Sequence, residues 1–173
     1  MEPINDYGVS KLAVEQMCRL AAPALPIQVV RPFNYTGPGQ STAFLVPKIV
    51  DHFVRDAGEL EVGDLALSRD ISDVRDTVEA YVRLVEKSPG PTLNLCSGTP
   101  TRLDSIVELL REITGRSMKV RTNPAFVRLG EPKVIIGDRA ALDSWIGDWP
   151  RLTLRDTLQT MYDAGCKTPL AVS

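Results

Sequence analysis

Tyr7 and Lys11 stand four residues apart in a chain of 173, a spacing that puts two side chains on one face of a helix. A phenol ordinarily titrates near 10. An ammonium group beside it favours the phenolate and lowers that value. Such a pair can exchange a proton with a carbonyl or hydroxyl near neutral pH. Tyrosine and lysine also fall at this spacing by chance on exposed helices, so the weight of the reading rests on the rest of the chain. Other chemistry finds little support. His52 is the only histidine, which excludes a His-rich metal site, and no metal ligands are assigned. Cys18, Cys96 and Cys166 are odd in number and far apart, which fits reduced thiols of a cytoplasmic protein better than a disulfide framework. No G-x-G-x-x-G turn, P-loop, H-E-x-x-H, paired C-x-x-C or G-x-S-x-G occurs.

The elements that must position the pair follow from periodicity. Residues 8–22 predict an amphipathic helix with Val9, Leu12, Ala13, Met17, Leu20 and Ala21 on one face, ended by Pro23 and Pro26. The β-branched and aromatic run Ile27 to Phe33 predicts a buried strand, and 34–42, with Gly37-Pro38-Gly39, a loop. Helices are expected over 43–56, with Pro47 tolerated in the first turn, and over 73–87, with Val74, Val78, Tyr81, Val82 and Val85 inward. Ser72 or Asp73 would cap the second of these. Short strands are expected at Leu60 to Val62, Thr92 to Cys96 and Met118 to Arg121, with a fourth short one inside the loop 122–137. Thr101 would cap a helix over 102–114 that Gly115 stops, and helices are expected at 138–146 and 154–164. Alternating strands and helices define an α/β class. About four strands, besides the short one inside that loop, are few for a complete doubly wound sheet.

Composition agrees with a globular protein: 43% of residues are hydrophobic and 24% charged. Twenty basic against 22 acidic residues leave a net charge of −2, with no basic excess for nucleic acid. The first residues lack a basic stretch followed by an apolar core, and no run of 18 apolar residues predicts a membrane span.

The string YGVSKLAVEQ, followed by RPFN and TGPGQ, resembles the extended short-chain dehydrogenase/reductase family. Within it, the chain is similar to the nucleotide-sugar dehydratases, epimerases and reductases. RPFNYTGPGQ most resembles the reductases of GDP-4-keto-6-deoxy-mannose and, beside them, the GDP-mannose 4,6-dehydratases. The likeness continues through FLVPKIV, SRDISDVRD, NLCSG, FVRLGEPKVIIGD and the WP…L…TL ending, from about Asn5 to about Tyr162. It implies a partial Rossmann-like fold: the C-terminal part of the parallel sheet plus a small α/β substrate-binding lobe. The N-terminal dinucleotide-binding half of such enzymes precedes the tyrosine, and the resemblance implies that this half is absent here. Residues 1–34 would supply the tyrosine/lysine helix and a strand of the Rossmann-like half. Residues 35–173 would form mainly the nucleotide-sugar lobe, with segments returning to the sheet.

Roles transfer onto matching positions only. Tyr7 matches the family's general acid/base, which in a reductase would protonate the C4 oxygen of the sugar. Lys11 matches the lysine that holds the nicotinamide ribose, so both residues are also cofactor-binding candidates. Asn34 matches an asparagine touching the sugar or its diphosphate, and Lys48 a lysine near the nucleotide. Arg69 matches an arginine on ribose or diphosphate, where a guanidinium fork suits phosphate; its bland alternative is a salt bridge to a neighbouring carboxylate. Arg128 and Glu131 match an R-P-x-E/D pair that holds diphosphate and ribose hydroxyls, although Leu129 replaces the usual proline. Asp6 replaces a proline before the tyrosine, a mild change at a helix N-terminus. Asp73, Arg75 and Asp76 read as structural, as does His52.

The resemblance thus implies an NAD(P)-dependent nucleotide-sugar oxidoreductase, here as a second half expected to be inactive alone and not to hold NAD or NADP by itself. An epimerase or dehydratase, a nucleotide-sugar-binding module without turnover, and a remnant without ligand are the competing expectations. The tyrosine helix, with Leu12, Val14, Met17 and Leu20, is expected to drive self-association into a homo-oligomer.

Overall fold

The computed structural model describes residues 5–127 and 130–167. The chain opens on α1 (Asp6–Ala21), whose N-cap is Asn5: its side-chain oxygen accepts a hydrogen bond from the Gly8 N–H at 2.8 Å. Strand β1 (Val30–Pro32) follows, then β2 (Asn34–Thr36), α2 (Leu45–Val54), β3 (Glu59–Val62) and β4 (Ser68–Asp73). The chain continues through α3 (Val74–Val85), β5 (Leu93–Leu95), β6 (Pro100–Arg102), α4 (Leu103–Thr114) and β7 (Lys119–Thr122). A 3₁₀ turn (Pro124–Phe126), β8 (Val134–Ile135), α5 (Ala140–Ile146) and α6 (Leu154–Lys167) complete it.

Among the described residues the strands form three small sheets. β1 pairs with β5 and β3 with β7, both parallel. β4 is central to the third, with antiparallel β6 on one edge and parallel β2 and β8 end to end along the other. Parallel pairs require crossover connections, and the helices supply them. The larger apolar cluster lies among α2, α4, α6 and β3, with Phe53, Ile49, Leu60 and Ile106 wholly buried. The second joins α3, β5 and α5 and includes Trp149, whose ring centre lies 4.1 and 5.0 Å from the guanidinium groups of Arg151 and Arg83. Each fully buried side chain of this size contributes about 1.5–3 kcal/mol.

Several expectations need correction. The strand expected over 27–33 is shorter, and Asn34–Thr36, expected as loop, is a strand. Ser68–Asp73 and Pro100–Arg102 are strands that periodicity did not reveal. The face expected inward on α3 is outward: Val78, Tyr81, Val82 and Val85 are exposed, while Thr77, Ala80 and Leu84 are buried. The cause is the start of that helix. Asp73 caps it and is buried, and the Thr77 hydroxyl donates to the Asp73 carbonyl at 3.1 Å. That seats the small face against β2 and β4 and rotates the valines away. No residue of α1 is buried, and Val9, Val14, Met17 and Leu20 are exposed, in keeping with an apolar face that lacks its partner. Thr101 is not a cap, because it pairs within β6 with Arg69 of β4, and the cap position falls to Arg102. Gly115 ends α4 in the left-handed region at φ +67°, as expected. Among the described residues no helix is long and apolar enough to cross a membrane.

Candidate functional site

β4 carries the centre of the site. Alternation along a strand sends Arg69 and Asp70 to opposite faces. Arg69 is 9% exposed. Its Nη2 donates to Glu131 Oε1 at 2.7 Å, and its Nη1 donates to the carbonyls of Ser68 at 2.7 Å and Pro132 at 3.1 Å. The ion pair therefore forms with Glu131, itself a candidate ligand residue, across 62 positions of sequence. Asp70 is wholly buried and accepts from the backbone N–H groups of Ser97, Gly98 and Gly137 at 2.7, 2.9 and 3.2 Å. The Asp70 carbonyl accepts from Asn34 Nδ2 at 3.1 Å. Asn34, Arg69 and Glu131 are thus gathered around two adjacent residues of one strand. Arg128 lies outside the described residues.

Lys48 is placed differently. Its Nζ donates to the Glu61 carbonyl at 2.6 Å and lies 4.9 Å from the centre of the Phe126 ring. Gly63 lets the Phe126 turn approach, since a Cβ there would fall 2.6 Å from the Phe126 carbonyl oxygen. Helix α2, strand β3 and the 3₁₀ turn so form a ledge beside which an ammonium is held against an aromatic face. His52 is half-buried, its Nδ1 2.8 Å from the Lys48 carbonyl, which fits the structural reading.

Tyr7 and Lys11 share the first turns of α1, with the Lys11 Nζ 5.2 Å from the centre of the Tyr7 ring. Tyr7 is 71% exposed. Among the described residues neither the hydroxyl nor the ammonium has a hydrogen-bond partner, so both are open to an oxygen-rich group such as a ribose. The described residues offer no glycine-rich strand-to-helix turn for a pyrophosphate, so they fit one end of a dinucleotide and not the remainder. What ties α1 to the sheet was not foreseen: Arg31 of β1 donates from Nε and Nη2 to both oxygens of Glu15, at 2.7 and 2.6 Å. The guanidinium hydrogen bonds hold the Glu15 carboxyl below its ordinary range, against a smaller opposing effect of burial. Asp70 was likewise missed, and the Arg-Asp dipeptide was its only signal. The Cys96 thiol is pushed up to about 11, chiefly by burial and then by the Asp70 charge, which makes it inert as a nucleophile.

The chain belongs to the NAD dependent epimerase/dehydratase family, whose model matches residues 1–96. It is 34% identical to GDP-6-deoxy-D-mannose reductase of Pseudomonas aeruginosa over 92% of this chain and 55% of that protein. It is 36% identical to GDP-6-deoxy-D-talose 4-dehydrogenase of Aggregatibacter actinomycetemcomitans over 93% of this chain and 55% of that one. The structure of RMD from Pseudomonas aeruginosa complexed with NADPH superposes with a TM-score of 0.88 at 32% identity, covering 96% of this chain and 58% of that one. The α/β architecture with parallel pairs is therefore part of that fold, and the chain spans about half the length of the relatives it matches.

Proposed function

We propose that the chain supplies the acid/base helix and the substrate lobe of an NAD(P)-dependent nucleotide-sugar oxidoreductase acting on a GDP-linked 4-keto-6-deoxy sugar. The observation that carries this reading is the convergence of Asn34, Arg69 and Glu131 on β4 in a chain whose relatives named above act on GDP-linked sugars. Arg69, whose Nη1 and Nη2 are already engaged, meets diphosphate oxygens with its remaining N–H groups and its fixed positive charge, Glu131 accepts from ribose hydroxyls, and Asn34 donates to the sugar or its diphosphate. Arg128 adds a second cation, and Lys48 lies near the base. Residues 35–173 form mainly this lobe. Residues 1–34 belong to the Rossmann-like half.

Tyr7 gives its proton to the C4 oxygen of the sugar as that oxygen gains charge. Lys11 holds the ribose of the cofactor and stabilises the charge Tyr7 acquires. When bound, the nicotinamide supplies the hydride. This chain alone is expected neither to hold the cofactor nor to turn over. The protein acts in the cytoplasm, and α1 pairs with a second copy in a homo-oligomer. An epimerase or dehydratase uses the same Tyr7/Lys11 pair. One observation favours a binding module without turnover: Asn34, Arg69 and Glu131 are tied together through β4, whereas among the described residues the Tyr7 hydroxyl and the Lys11 ammonium have no hydrogen-bond partner.

Calorimetric titration of the purified chain with GDP, UDP and NADPH in separate runs tests the reading. GDP is expected to bind and NADPH is not. Binding of NADPH would refute the assignment of an open cofactor side. Silence with all three would refute the substrate lobe.

A further inference from the structure

Asp70 has no direct part in the chemistry above, yet it is the most constrained polar group of the site. Its carboxylate is wholly buried, and its partners are three backbone N–H groups rather than a cation. A buried charge is tolerated only when it is well hydrogen-bonded, and here the carboxylate's bonds reach two separate segments while the carbonyl reaches a third. Ser97 and Gly98 follow β5. Gly137 follows β8. The Asp70 carbonyl receives Asn34.

The arrangement pins one short segment at both ends. Residues 131–137 run from Glu131, held by Arg69, through β8, paired with Ser68 and Arg69, to Gly137, held by Asp70. The anchors beyond Asp70 are themselves fixed. Gly137 is wedged so tightly that a Cβ would fall 2.5 Å from Cys96 Sγ. The Ser97 carbonyl accepts from Arg139 Nη1 at 3.1 Å, and a Cβ on Gly98, at φ +74°, would fall 2.8 Å from Arg139 Cδ. The Ser97–Gly98 turn is therefore gripped on both its donor and acceptor sides.

We infer that Asp70 is a positioning residue: its buried carboxylate and its carbonyl set Glu131, Arg69 and Asn34 in the mutual geometry that receives a nucleoside diphosphate. The inference rests on the reading of those three residues given above. Asp70→Asn keeps the shape but places an amide N–H against at least one backbone N–H, so one donor loses its acceptor. A lost hydrogen bond to a charged group corresponds to about a 10- to 100-fold change in an equilibrium.

The test has two readouts on the 173-residue chain. In Asp70→Asn, amide hydrogen exchange is expected to accelerate about tenfold or more at 97–98 and 131–137, with α2 and α4 unchanged. GDP affinity measured by calorimetry is expected to fall about 10- to 100-fold. In an Arg69→Ala background the same substitution is expected to cost no further affinity, because the residue acts through the clamp. Unchanged or uniformly raised exchange overturns the inference. So does unchanged GDP affinity in Asp70→Asn when Arg69→Ala weakens it, and so do losses that simply add in the double variant. Locally raised exchange in a chain whose wild type ignores GDP upholds the positioning of the clamp and removes the nucleotide reading. Should Asp70→Asn fail to fold, Arg139→Met loosens the same turn without touching the buried charge. Raised exchange at 97–98 and 131–137 is then expected, and its absence overturns the inference.

Discussion

Replacing Asp73 by alanine is expected to lower the unfolding free energy by about 3 kcal/mol, from bonds that the structure separates cleanly. Asp73 Oδ1 accepts from the Arg75 N–H at 2.7 Å, capping α3, and a lost cap of this kind costs about 1 kcal/mol. Asp73 Oδ2 accepts from the buried Thr157 hydroxyl at 2.8 Å, joining α3 to α6. A hydrogen bond to a charged group contributes about 1.5–3 kcal/mol, and the lower end applies because that hydroxyl can turn to the Thr153 carbonyl at 3.0 Å. The Arg75 guanidinium also binds both oxygens, but its side chain is 46% exposed, so solvent screening leaves about 0.5 kcal/mol. Asp73→Asn keeps the cap and loses the charge, and should fall between wild type and alanine. The pH dependence follows in sign. Burial alone would raise the Asp73 carboxyl. The Arg75 side chain, its backbone N–H and the Thr157 hydroxyl outweigh that and hold the carboxyl below its ordinary range. The folded chain thus takes up this proton less readily than the unfolded one. The stabilisation is complete above about pH 4 and is lost as pH falls through the folded value. Urea denaturation at stepped pH should therefore show the gap between wild type and Asp73→Ala narrowing below pH ~4. A gap under about 1 kcal/mol at neutral pH, or one that holds constant into acid, would refute the reasoning.

Gly137→Ala should destabilise by about 1–3 kcal/mol through overpacking, since the new methyl would meet Cys96 Sγ at 2.5 Å and Phe33 Cε2 at 3.0 Å. Thermal unfolding reads it, and Cys96→Ala in the same chain should return part of the loss. The exposed apolar residues of α1 and α3, with Leu20 at 83% and Val85 at 85% exposure, predict self-association at micromolar concentration. A sharp monomer peak in light scattering would contradict it.

The helices were legible because their apolar residues recur at the right spacing and their ends carry Gly115 and Asp73. Orientation was less so. On α3 the valines outnumber the small residues, so periodicity pointed the wrong face inward; the deciding facts, the buried Asp73 and the seat of Thr77, are tertiary. β4 escaped notice because its sequence, SRDISD, is mostly polar, and polar residues in a central strand have meaning only through distant partners. Arg69 finds Glu131 across 62 positions, and Asp70 finds Gly137 across 67. The resemblance supplied Arg69 and Glu131 as separate ligand candidates. That they bond to each other, with Asp70 beneath them, follows only from strand pairing.

The two halves of the proposed chemistry are held in different ways, and this separates binding from turnover. Every bond that places Asn34, Arg69 and Glu131 comes from within the described chain, through β4, β8 and the Ser97–Gly98 turn. Among the described residues, the side-chain tie that holds the helix of Tyr7 and Lys11 is the ion pair of Arg31 with Glu15, and no residue of that helix is buried. Hydride transfer demands that both groups be fixed together, because positioning supplies much of the rate. Nucleoside diphosphate binding demands only the first. A chain of this construction should therefore recognise its ligand before it can transform it. Adding a partner that supplies the pyrophosphate cradle and covers the exposed face of α1 should confer turnover while leaving the affinity for GDP nearly unchanged.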